Sequence, residues 1–327
     1  MRIAIIGGGI SGLYLAWQLS KRGEEVVVFE KKEKIGKEVC SGLFSKRIFD
    51  FIPESQNLIE KEINDCLIYF PSKTIKVHFN QRFFLINHAQ LDQLVAELAQ
   101  QSGAKIFLKQ PVDLVNFPHF LEKKLGNYGY FDKIIGCDGA NSTVRKILGL
   151  NQPNYRLGIQ YIIPQKNFSE PTINFVETWP TINGFIWKIV HHQEIEYGII
   201  SQPLLAKKLF SEFLKKNKIQ LKEGNLKAAL IPQGLVFPQK IPDITLSGDA
   251  IGLTKPWSGG GVVWSLIANQ ILLKNFPDFK KYQRAVQKIF LPKIILAKLA
   301  IKIVYLWGSR LMKLLPRHIE IDGDFLL

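Results

Sequence analysis

Cysteine is scarce in this sequence: its 327 residues include three, Cys40, Cys66 and Cys137. An odd count at these spacings fits neither a disulfide framework nor a zinc site, and it predicts a reducing compartment. The sequence also lacks an uncharged run long enough to cross a bilayer. We find no cluster of metal-ligand residues and no nucleic-acid-binding motif, so we expect neither a metal nor a nucleic-acid partner.

Acidic residues are few: 28 Asp and Glu oppose 43 Lys and Arg, which gives a net charge of +15. Such a surface favours anionic partners, such as anionic lipid or phosphorylated substrates. A solvated basic surface without a partner is the alternative. The hydrophobic fraction of 46% and the charged fraction of 22% are typical of a globular chain, and this length suits two domains or one domain with a large insertion.

The N-terminal segment carries a dinucleotide-binding pattern. Residues 3–12 read IAIIGGGISG, which places Gly7, Gly9 and Gly12 between an apolar strand and a helix predicted over 13–22. The first glycine allows the tight turn, the second lets the backbone approach a pyrophosphate, and the third lets the helix pack on the strand. A second predicted strand ends at Glu30, where a carboxylate can accept hydrogen bonds from ribose hydroxyls. We interpret the apolar start as this strand rather than a signal peptide.

Hydrophobic periodicity gives an outline of the other elements. Apolar residues at helical spacing predict an amphipathic helix over 88–101, and residues 31–63 are predicted to be rich in loops. Between about 155 and 237 a series of short, strand-like apolar runs predicts a mostly antiparallel sheet interrupted by one helix. The other predicted strands and helices are 25–29, 66–70, 74–79, 104–108, 133–136, 158–163, 172–177, 185–190, 196–201, 204–216, 244–247 and 262–273.

The tail over 293–315 is strongly apolar, and its polar residues fall within an arc of roughly 120° on a helical projection. It is predicted to form a basic amphipathic helix, or two helices separated near Gly308. Two interpretations remain open: a helix that packs on the core with a solvated basic stripe, or one that lies in a membrane interface with its cations towards the headgroups. The polar residues are Lys298, Lys302, Ser309, Arg310 and Lys313.

Two later glycine-containing segments accompany the first. Residues 136–145 read GCDGANSTVR, and residues 248–261 read GDAIGLTKPWSGGG. In this order the three segments resemble the FAD-dependent oxidoreductases of the p-hydroxybenzoate hydroxylase fold, and within them the geranylgeranyl reductase family. The resemblance implies an α/β fold: a Rossmann-like FAD-binding domain, an inserted, mostly antiparallel β-sheet substrate domain, and a C-terminal helical region. The expected ranges are 1–63, 86–152 and 238–275 for the first, 64–85 and 153–237 for the second, and 276–327 for the third.

The resemblance also implies a set of cofactor-binding residues. Asp249 would hold the ribitol hydroxyls of FAD, the backbone at 259–261 would lie close to the isoalloxazine, and Asp138 would help to shape the channel. The set so implied comprises Gly7, Gly9, Ser11, Gly12, Glu30, Lys31, Cys40, Ser41, Gly42, Asp138, Gly139, Gly248, Asp249, Gly252, Pro256, Gly259, Gly260, Gly261 and Val262.

Cys40 and Trp187 are the catalytic candidates. The Cys40-Ser41-Gly42 segment resembles a cysteine loop of the family that faces the flavin and the reacting double bond, where a thiol or water can supply a proton. A buried, inert thiol is the alternative. Residues 185–190, FIWKIV, match the family's Tyr-x-Trp-x-Phe-Pro motif only at Trp187, which weakens the substrate assignment and leaves open a role in the sheet core.

Relatives often carry an arginine where Asn87-His88 stand in this sequence. The departure implies that one phosphate or adenosine contact differs from that of the relatives.

The resemblance implies reduction of carbon–carbon double bonds in a polyprenyl (geranylgeranyl-type) lipid or diphosphate by hydride transfer from reduced flavin. A flavin monooxygenase that uses NAD(P)H and a non-catalytic prenyl-binding protein of the GDP-dissociation-inhibitor type are the alternatives. The sequence has no second glycine fingerprint of the kind that would indicate a tightly held NADPH. The external reductant therefore stays open, with NAD(P)H and a ferredoxin as the candidates. We expect an isoprenoid lipid substrate and a cytoplasmic location, with the C-terminal helix on an anionic membrane face. No oligomeric state is predicted.

Overall fold

The computed structural model describes residues 1–36, 39–113, 115, 117–164, 173–221, 225–238, 241–311 and 316–322. For residues 304–311 it describes the backbone alone. The strands are β1 (Arg2–Ile6), β2 (Glu25–Phe29), β3 (Leu43–Ser45), β4 (Ile59–Phe70), β5 (Lys73–Ile86), β6 (Lys105–Phe107), β7 (Lys133–Gly136), β8 (Asn154–Pro164), β9 (Phe175–Thr181), β10 (Gly184–Val190), β11 (Glu194–Ser201), β12 (Leu226–Gln233), β13 (Ile244–Leu246) and β14 (His318–Ile321). The helices are α1 (Ile10–Ser20), α2 (Ile48–Phe51), α3 (His88–Gln101), α4 (Thr143–Ile147), α5 (Pro203–Lys216), α6 (Val262–Asn275) and α7 (Phe279–Leu311).

The first sheet is parallel throughout, in the order β13-β7-β1-β2-β6. Its strands are almost continuously apolar because both faces are buried. Gly136 of β7 pairs with Ile6 of β1 on one side and with Leu246 of β13 on the other. The three glycine-containing segments therefore leave the same edge of the sheet, at the carboxyl ends of neighbouring strands, which is where open α/β sheets bind ligands.

The second sheet is mostly antiparallel, in the order β12-β8-β11-β10-β9-β4-β5-β14, with β3 paired to β5. The parallel pairs in it are β4 with β9 and β14 with β5. Side chains alternate between its faces: Ile186 packs under α5 against Phe210, whereas Trp187 and Ile189 belong to a cluster on the opposite face. The predicted fold class, a Rossmann-like domain with an inserted antiparallel sheet, is confirmed.

Three stretches differ from the sequence prediction. The region 31–63 contains β3, α2, a 3-10 turn over Pro53–Leu58 and the start of β4. Strand β12 was not predicted as a separate strand, because its sequence, LKAALIPQ, does not alternate between apolar and polar residues, although it forms an edge of the sheet. The C-terminal region is not wholly helical: β14 returns to the second sheet and pairs with β5 from His318↔Lys76 to Ile321↔Phe79.

Helix α7 is continuous from Phe279 to Leu311, past Pro292, and is not divided near Gly308. Of the predicted basic stripe, Lys298 is half-buried and Lys302 is exposed. The side chains of Ser309, Arg310 and Lys313 lie outside the described residues. Within the described chain, no helix has the length and apolarity needed to span a membrane.

Candidate active site

A cavity of about 2380 Å³ begins at the carboxyl edge of the parallel sheet and continues along one face of the second sheet. Ligand pockets for drug-sized molecules usually measure about 300–1,000 Å³, so this one has room for a dinucleotide together with a second ligand. The glycine-containing segments line one end. Phe83, Val176, Trp187, Ile189 and Ile200 of the second sheet line the other, and Ala297, Ala300 and Ile301 of α7 form part of the wall.

The glycines of the first turn have two different roles: two of them allow close packing of the chain, and one leaves the backbone open to the cavity. A Cβ on Gly7, which has a φ of 110°, would collide with the Cys137 carbonyl, and one on Gly12 would collide with the Gly7 carbonyl. A Cβ on Gly9 would meet nothing within 4 Å, and Gly9 borders the cavity. Gly7 and Gly12 thus bring the chain close together, whereas Gly9 leaves the backbone accessible from the cavity.

The carboxylate of Glu30 is fixed beside this turn. Its Oε2 accepts a hydrogen bond from Gly8 N at 2.6 Å, and its Oε1 accepts one from Lys32 N at 2.9 Å. Glu30 is 8% exposed and lines the cavity together with Lys31. Each carboxylate oxygen keeps a lone pair for a further donor, as recognition of a ribose requires.

Two buried side chains tie the three glycine segments together. Arg145 is fully buried, and its guanidinium donates to Ala140 O at 2.6 Å and to Ala250 O at 2.8 Å, which joins the second segment to the third. Asn269 accepts a hydrogen bond from Ser247 Oγ at 2.6 Å and donates to Ser11 O at 3.0 Å, which joins the third to the first. Satisfied buried polar groups of this kind fix one relative arrangement of the segments.

Asp138 and Asp249 occupy different environments. Asp138 accepts hydrogen bonds from Ser142 Oγ at 2.5 Å and from Thr143 N at 2.6 Å, so its side chain caps α4 while the residue also borders the cavity. Burial raises the pKa of Asp138, and these hydrogen bonds oppose that effect. Asp249 is half-buried on the cavity wall, and a Cβ on Gly261 would lie 2.9 Å from its Oδ1, so Gly261 makes room for this carboxylate.

These residues fit FAD. Gly9 and Gly139 both border the cavity, and a Cβ at either would extend into open space, so each leaves a cradle that a side chain would fill. The N-terminus of α1 adds free N–H groups that favour a pyrophosphate. Glu30 and Asp249 supply carboxylates suited to hydroxyl groups, and the turn over 255–260 is closed by Lys255 N to Gly260 O and Gly259 N to Lys255 O, both at 2.9 Å.

The structure brings most of the predicted site residues to this cavity. Gly12, Gly42, Gly248, Gly252 and Pro256 do not line it. Gly248, for example, packs on Ser11, and a Cβ on Gly252 would collide with the Gly234 carbonyl. Those that line it are Gly7, Gly9, Ser11, Glu30, Lys31, Cys40, Ser41, Asp138, Gly139, Trp187, Asp249, Gly259, Gly260, Gly261 and Val262.

Trp187 is held by a buried polar network on the sheet. Its Nε1 donates to Glu196 Oε1 at 2.5 Å, and Gln160 Nε2 donates to the same oxygen at 3.1 Å. His191 Nε2 lies 3.4 Å from Glu196 Oε2. Burial lowers the pKa of His191, but Glu196, Glu60 and Glu194 outweigh it and raise that pKa to about 9. The indole is therefore fixed at one edge while it lines the cavity.

The polar residues on the cavity wall that sequence reasoning did not assign to the site include Lys255, His88 and Asp92. Lys255 is 7% exposed beside Gly260, and His88 and Asp92 lie buried next to Cys40. The signal for the last two was a His–Asp pair four residues apart at the start of an amphipathic helix. In the described part of the chain, no group of His, Cys, Asp and Glu is placed to hold a metal ion.

Comparison with known proteins agrees with this fold. A family model for the NAD(P)-binding Rossmann-like domain matches residues 5–51. The chain is similar to the digeranylgeranylglycerophospholipid reductase of Methanothrix thermoacetophila, with 23% identity over 82% of this chain and 75% of that protein. It is also similar to the chloroplastic geranylgeranyl diphosphate reductase of Oryza sativa subsp. japonica, with 24% identity over 81% of this chain and 64% of that protein.

Solved structures give the same result for the fold. A geranylgeranyl bacteriochlorophyll reductase-like protein from Thermoplasma acidophilum has a TM-score of 0.69 and 19% identity, and the match covers 89% of this chain and 83% of that one. A flavin-dependent brominase, Bmp2, has a TM-score of 0.69 and 13% identity, with 94% and 87% covered. The chain is therefore similar in sequence to geranylgeranyl reductases and has the fold of flavin-dependent oxidoreductases.

Proposed function

We propose that this protein is an FAD-dependent oxidoreductase that reduces carbon–carbon double bonds of a polyprenyl, geranylgeranyl-type lipid or diphosphate. The observation that carries the proposal is the continuity of the cavity. It joins three glycine segments suited to a dinucleotide with an apolar sheet face suited to an isoprenoid chain. FAD, when bound, supplies the hydride for the reduction.

The chain's own residues then have separate tasks. Gly9 and Gly139 leave space for the cofactor, and Glu30 and Asp249 bind its hydroxyl groups. The apolar wall around Trp187, Ile189 and Ile200 excludes water and holds the substrate chain in place. Such positioning of the reacting groups removes much of the entropic part of the barrier. Cys40 lines the same cavity and supplies the proton.

Mass spectrometry tests the proposal. The purified protein is loaded with FAD, reduced with dithionite and incubated with geranylgeranyl lipids, and the expected product gains two hydrogens for each reduced bond. The matched control is Gly9→Ala, which leaves packing untouched but places a methyl group in the cradle. Absence of the mass gain in protein that carries FAD contradicts the proposal.

The same preparation separates the two alternatives. Oxygen-dependent oxidation of NADPH with a hydroxylated product would indicate a monooxygenase. A colourless protein that binds a prenylated ligand but takes up no FAD would indicate a non-catalytic prenyl-binding protein. Glu30 and the open cradle at Gly9 favour retention of the cofactor.

We also propose that α7 attaches the protein to an anionic membrane surface. Its outer face consists of Ile295, Leu296, Leu299 and Ile303, each between 51% and 58% exposed. Lys298 and Lys302 lie on the same stretch of helix, and the chain carries a net charge of +15. A basic amphipathic helix with exposed apolar side chains is suited to the interface of an anionic bilayer, where each Lys or Arg near the surface contributes about 1 kcal/mol.

Vesicle flotation tests the attachment. The protein should float with vesicles of phosphatidylcholine mixed with phosphatidylglycerol, and much less with phosphatidylcholine alone. Leu296→Glu combined with Leu299→Glu should abolish flotation, whereas Leu204→Glu, at a 95% exposed position on α5, should not affect it. Equal flotation with both lipid compositions, or flotation unchanged by the α7 double variant, would contradict the attachment.

A further inference from the structure

Cys40, His88 and Asp92 meet at one edge of the cavity, and all three line it. The loop that carries Cys40 runs directly against the residues that lead into α3. Ile86 N donates to Gly42 O at 2.9 Å, and a Cβ on Gly42, where φ is 68°, would collide with the Ile86 carbonyl. This close main-chain approach holds the thiol beside the first turn of the helix.

His88 and Asp92 stand one turn apart on the same face of α3. Asn87 caps the helix by accepting hydrogen bonds from Ala89 N at 3.0 Å and Gln90 N at 3.3 Å, which fixes where that turn begins. His88 Nε2 lies 3.5 Å from Asp92 Oδ1, and the two side chains are 2% and 1% exposed. A pair so deeply buried is costly unless further charges or hydrogen bonds compensate for the lost hydration.

Cys40 supplies that compensation from the cavity side. Its Sγ accepts a hydrogen bond from Gly42 N at 3.5 Å. Burial lowers the pKa of His88, but the nearby Cys40 and Asp92 outweigh it and raise that pKa to about 9. An imidazolium beside a cysteine favours the thiolate form, so Cys40 and His88 can share one proton while Asp92 orients the histidine.

We propose that Cys40, His88 and Asp92 form a proton relay, in which His88, positioned by Asp92, passes a proton to Cys40 and Cys40 delivers it to the substrate. The role in turnover rests on the function proposed above. In the resting pair the shared proton lies on His88. One alkene carbon takes a hydride from the reduced cofactor, and as the π bond breaks the other carbon takes a proton that passes from His88 through the Cys40 sulfur, which ends as a thiolate again. The neutral imidazole then takes a proton from water, and hydroxide is left to the solvent.

The remaining cysteines serve as internal references. Cys66 hydrogen-bonds Thr178 Oγ1 at 3.6 Å, and burial raises the pKa of its thiol to about 11. Cys137 is buried, and burial raises the pKa of its thiol as well. Below pH 9, therefore, we expect a thiol reagent to modify Cys40 ahead of both.

Alkylation by iodoacetamide, located by peptide mass spectrometry, tests the relay in the full-length protein with and without FAD. Between pH 6 and pH 8 the rate at an ordinary thiol rises roughly a hundredfold, because its thiolate fraction grows with pH. The rate at Cys40 should change by less than about threefold over this range. The readout is the shape of the pH profile, so partial shielding of the thiol does not affect it.

Substitutions assign the effect to the relay. In His88→Gln the rate at pH 6 should fall at least ~10-fold and the profile should become that of an ordinary thiol. Asp92→Asn, which keeps the side-chain volume, should shift the profile in the same direction by a smaller factor and provides a second measurement if His88→Gln does not fold. The matched control is His78→Gln, at an exposed His–Asp pair on β5 with an Nδ1–Oδ1 distance of 2.8 Å, and it should leave the profile unchanged.

Two results would overturn the relay: a wild-type Cys40 that titrates as an ordinary thiol or stays unlabelled up to pH 9, or a profile that His88→Gln and Asp92→Asn leave unchanged. In the reduction assay, His88→Gln should lower the rate at least ~10-fold at pH 8 and less at pH 6, where water supplies protons more readily. If the thiol behaves as expected but no prenyl lipid is reduced, the proposed function fails and the Cys–His pair stands.

Discussion

Gly9 and Gly12 lie three residues apart, and a methyl group would have opposite consequences at the two positions. The backbone of Gly9 is extended, with φ −89° and ψ 176°, a conformation that any residue adopts. Its Cα faces open cavity, whereas that of Gly12 faces the carbonyl of Gly7. The first position therefore reports on the ligand and the second on the fold.

We predict that Gly9→Ala weakens FAD binding about tenfold or more, which is about 1.4 kcal/mol, and changes the stability of the flavin-free protein by less than about 0.5 kcal/mol. Gly12→Ala should lower stability by about 1–3 kcal/mol or more, because the strand–helix contact must open. Flavin titration and chemical denaturation measure the two effects. Equal loss of stability in both variants would contradict the division of roles.

The polar network under Trp187 makes stability depend on pH. A histidine whose pKa is higher in the folded protein than in the unfolded chain stabilises the fold fully below the unfolded value of about 6.5. That contribution is lost as the pH rises through the folded pKa, about 9 for His191.

The free energy of unfolding should therefore fall between pH 6.5 and pH 9. In His191→Gln the fall should be smaller by roughly 1–3 kcal/mol. Urea denaturation at a series of pH values measures the fall, with His78→Gln as the control at an exposed position. An unchanged fall in His191→Gln would show that Glu196 does not hold this histidine in its charged form.

At the scale of elements, the strongly patterned segments were predictable. The boundaries of α3 (88–101), β2 (25–29) and β7 (133–136) are confirmed as predicted. In α3, Leu91 and Val95 recur at helical spacing, while β2 and β7 are short apolar runs that end in a glycine or an acidic residue. Local pattern and burial agree in these elements, so sequence alone defines them.

The elements that were missed owe their structure to tertiary contacts. Strand β14 is four residues long and largely exposed, and it is a strand because β5 offers an unpaired edge. The His88–Asp92 pair carries a weak helical signal, but its position beside Cys40 depends on the approach of the loop to Ile86. Sequence predicted the glycine turns of the site because their chemistry is local, whereas contacts between distant loops gave no signal.

We predict that removal of residues 317–327 lowers the stability of the protein by roughly 1–3 kcal/mol and promotes aggregation, because it exposes the edge of β5. The truncation also deletes the ion pair between Arg47 Nη2 and Asp322 Oδ2, which are 3.0 Å apart. Arg47→Ala removes that pair while β14 stays in place, and it should cost less than about 1 kcal/mol, since both side chains are partly exposed. Thermal unfolding and light scattering distinguish the two, and a truncation no more harmful than Arg47→Ala would contradict a structural role for β14.

At the scale of the whole molecule, one ligand would contact segments separated by more than 200 residues. Arg145 and Asn269 hold these segments together within the protein itself. A ligand that binds the folded state adds stability according to its concentration relative to its dissociation constant. The cofactor should therefore protect all three segments together.

We predict that removal of FAD lowers the melting temperature and raises hydrogen exchange in 7–12, 138–143 and 248–261 together. At a hundredfold excess of FAD over its dissociation constant, the difference in stability is about 2.7 kcal/mol. Helix α5 packs mainly on the opposite face of the second sheet and serves as the internal comparison, with a smaller rise in exchange. Faster exchange confined to residues 7–12 would contradict a shared site.

The two sides of α7 have a kinetic consequence. Ala297 and Ile301 form part of the cavity wall, while Leu296 and Leu299, on the same two turns of the helix, face outwards. A substrate dissolved in a bilayer would reach the cavity past this helix without crossing water. The turnover rate would then depend on the concentration of substrate within the bilayer and not on its concentration in the bulk solution. We expect catalysis to obey surface-dilution kinetics: added inert phospholipid should slow it at constant total substrate.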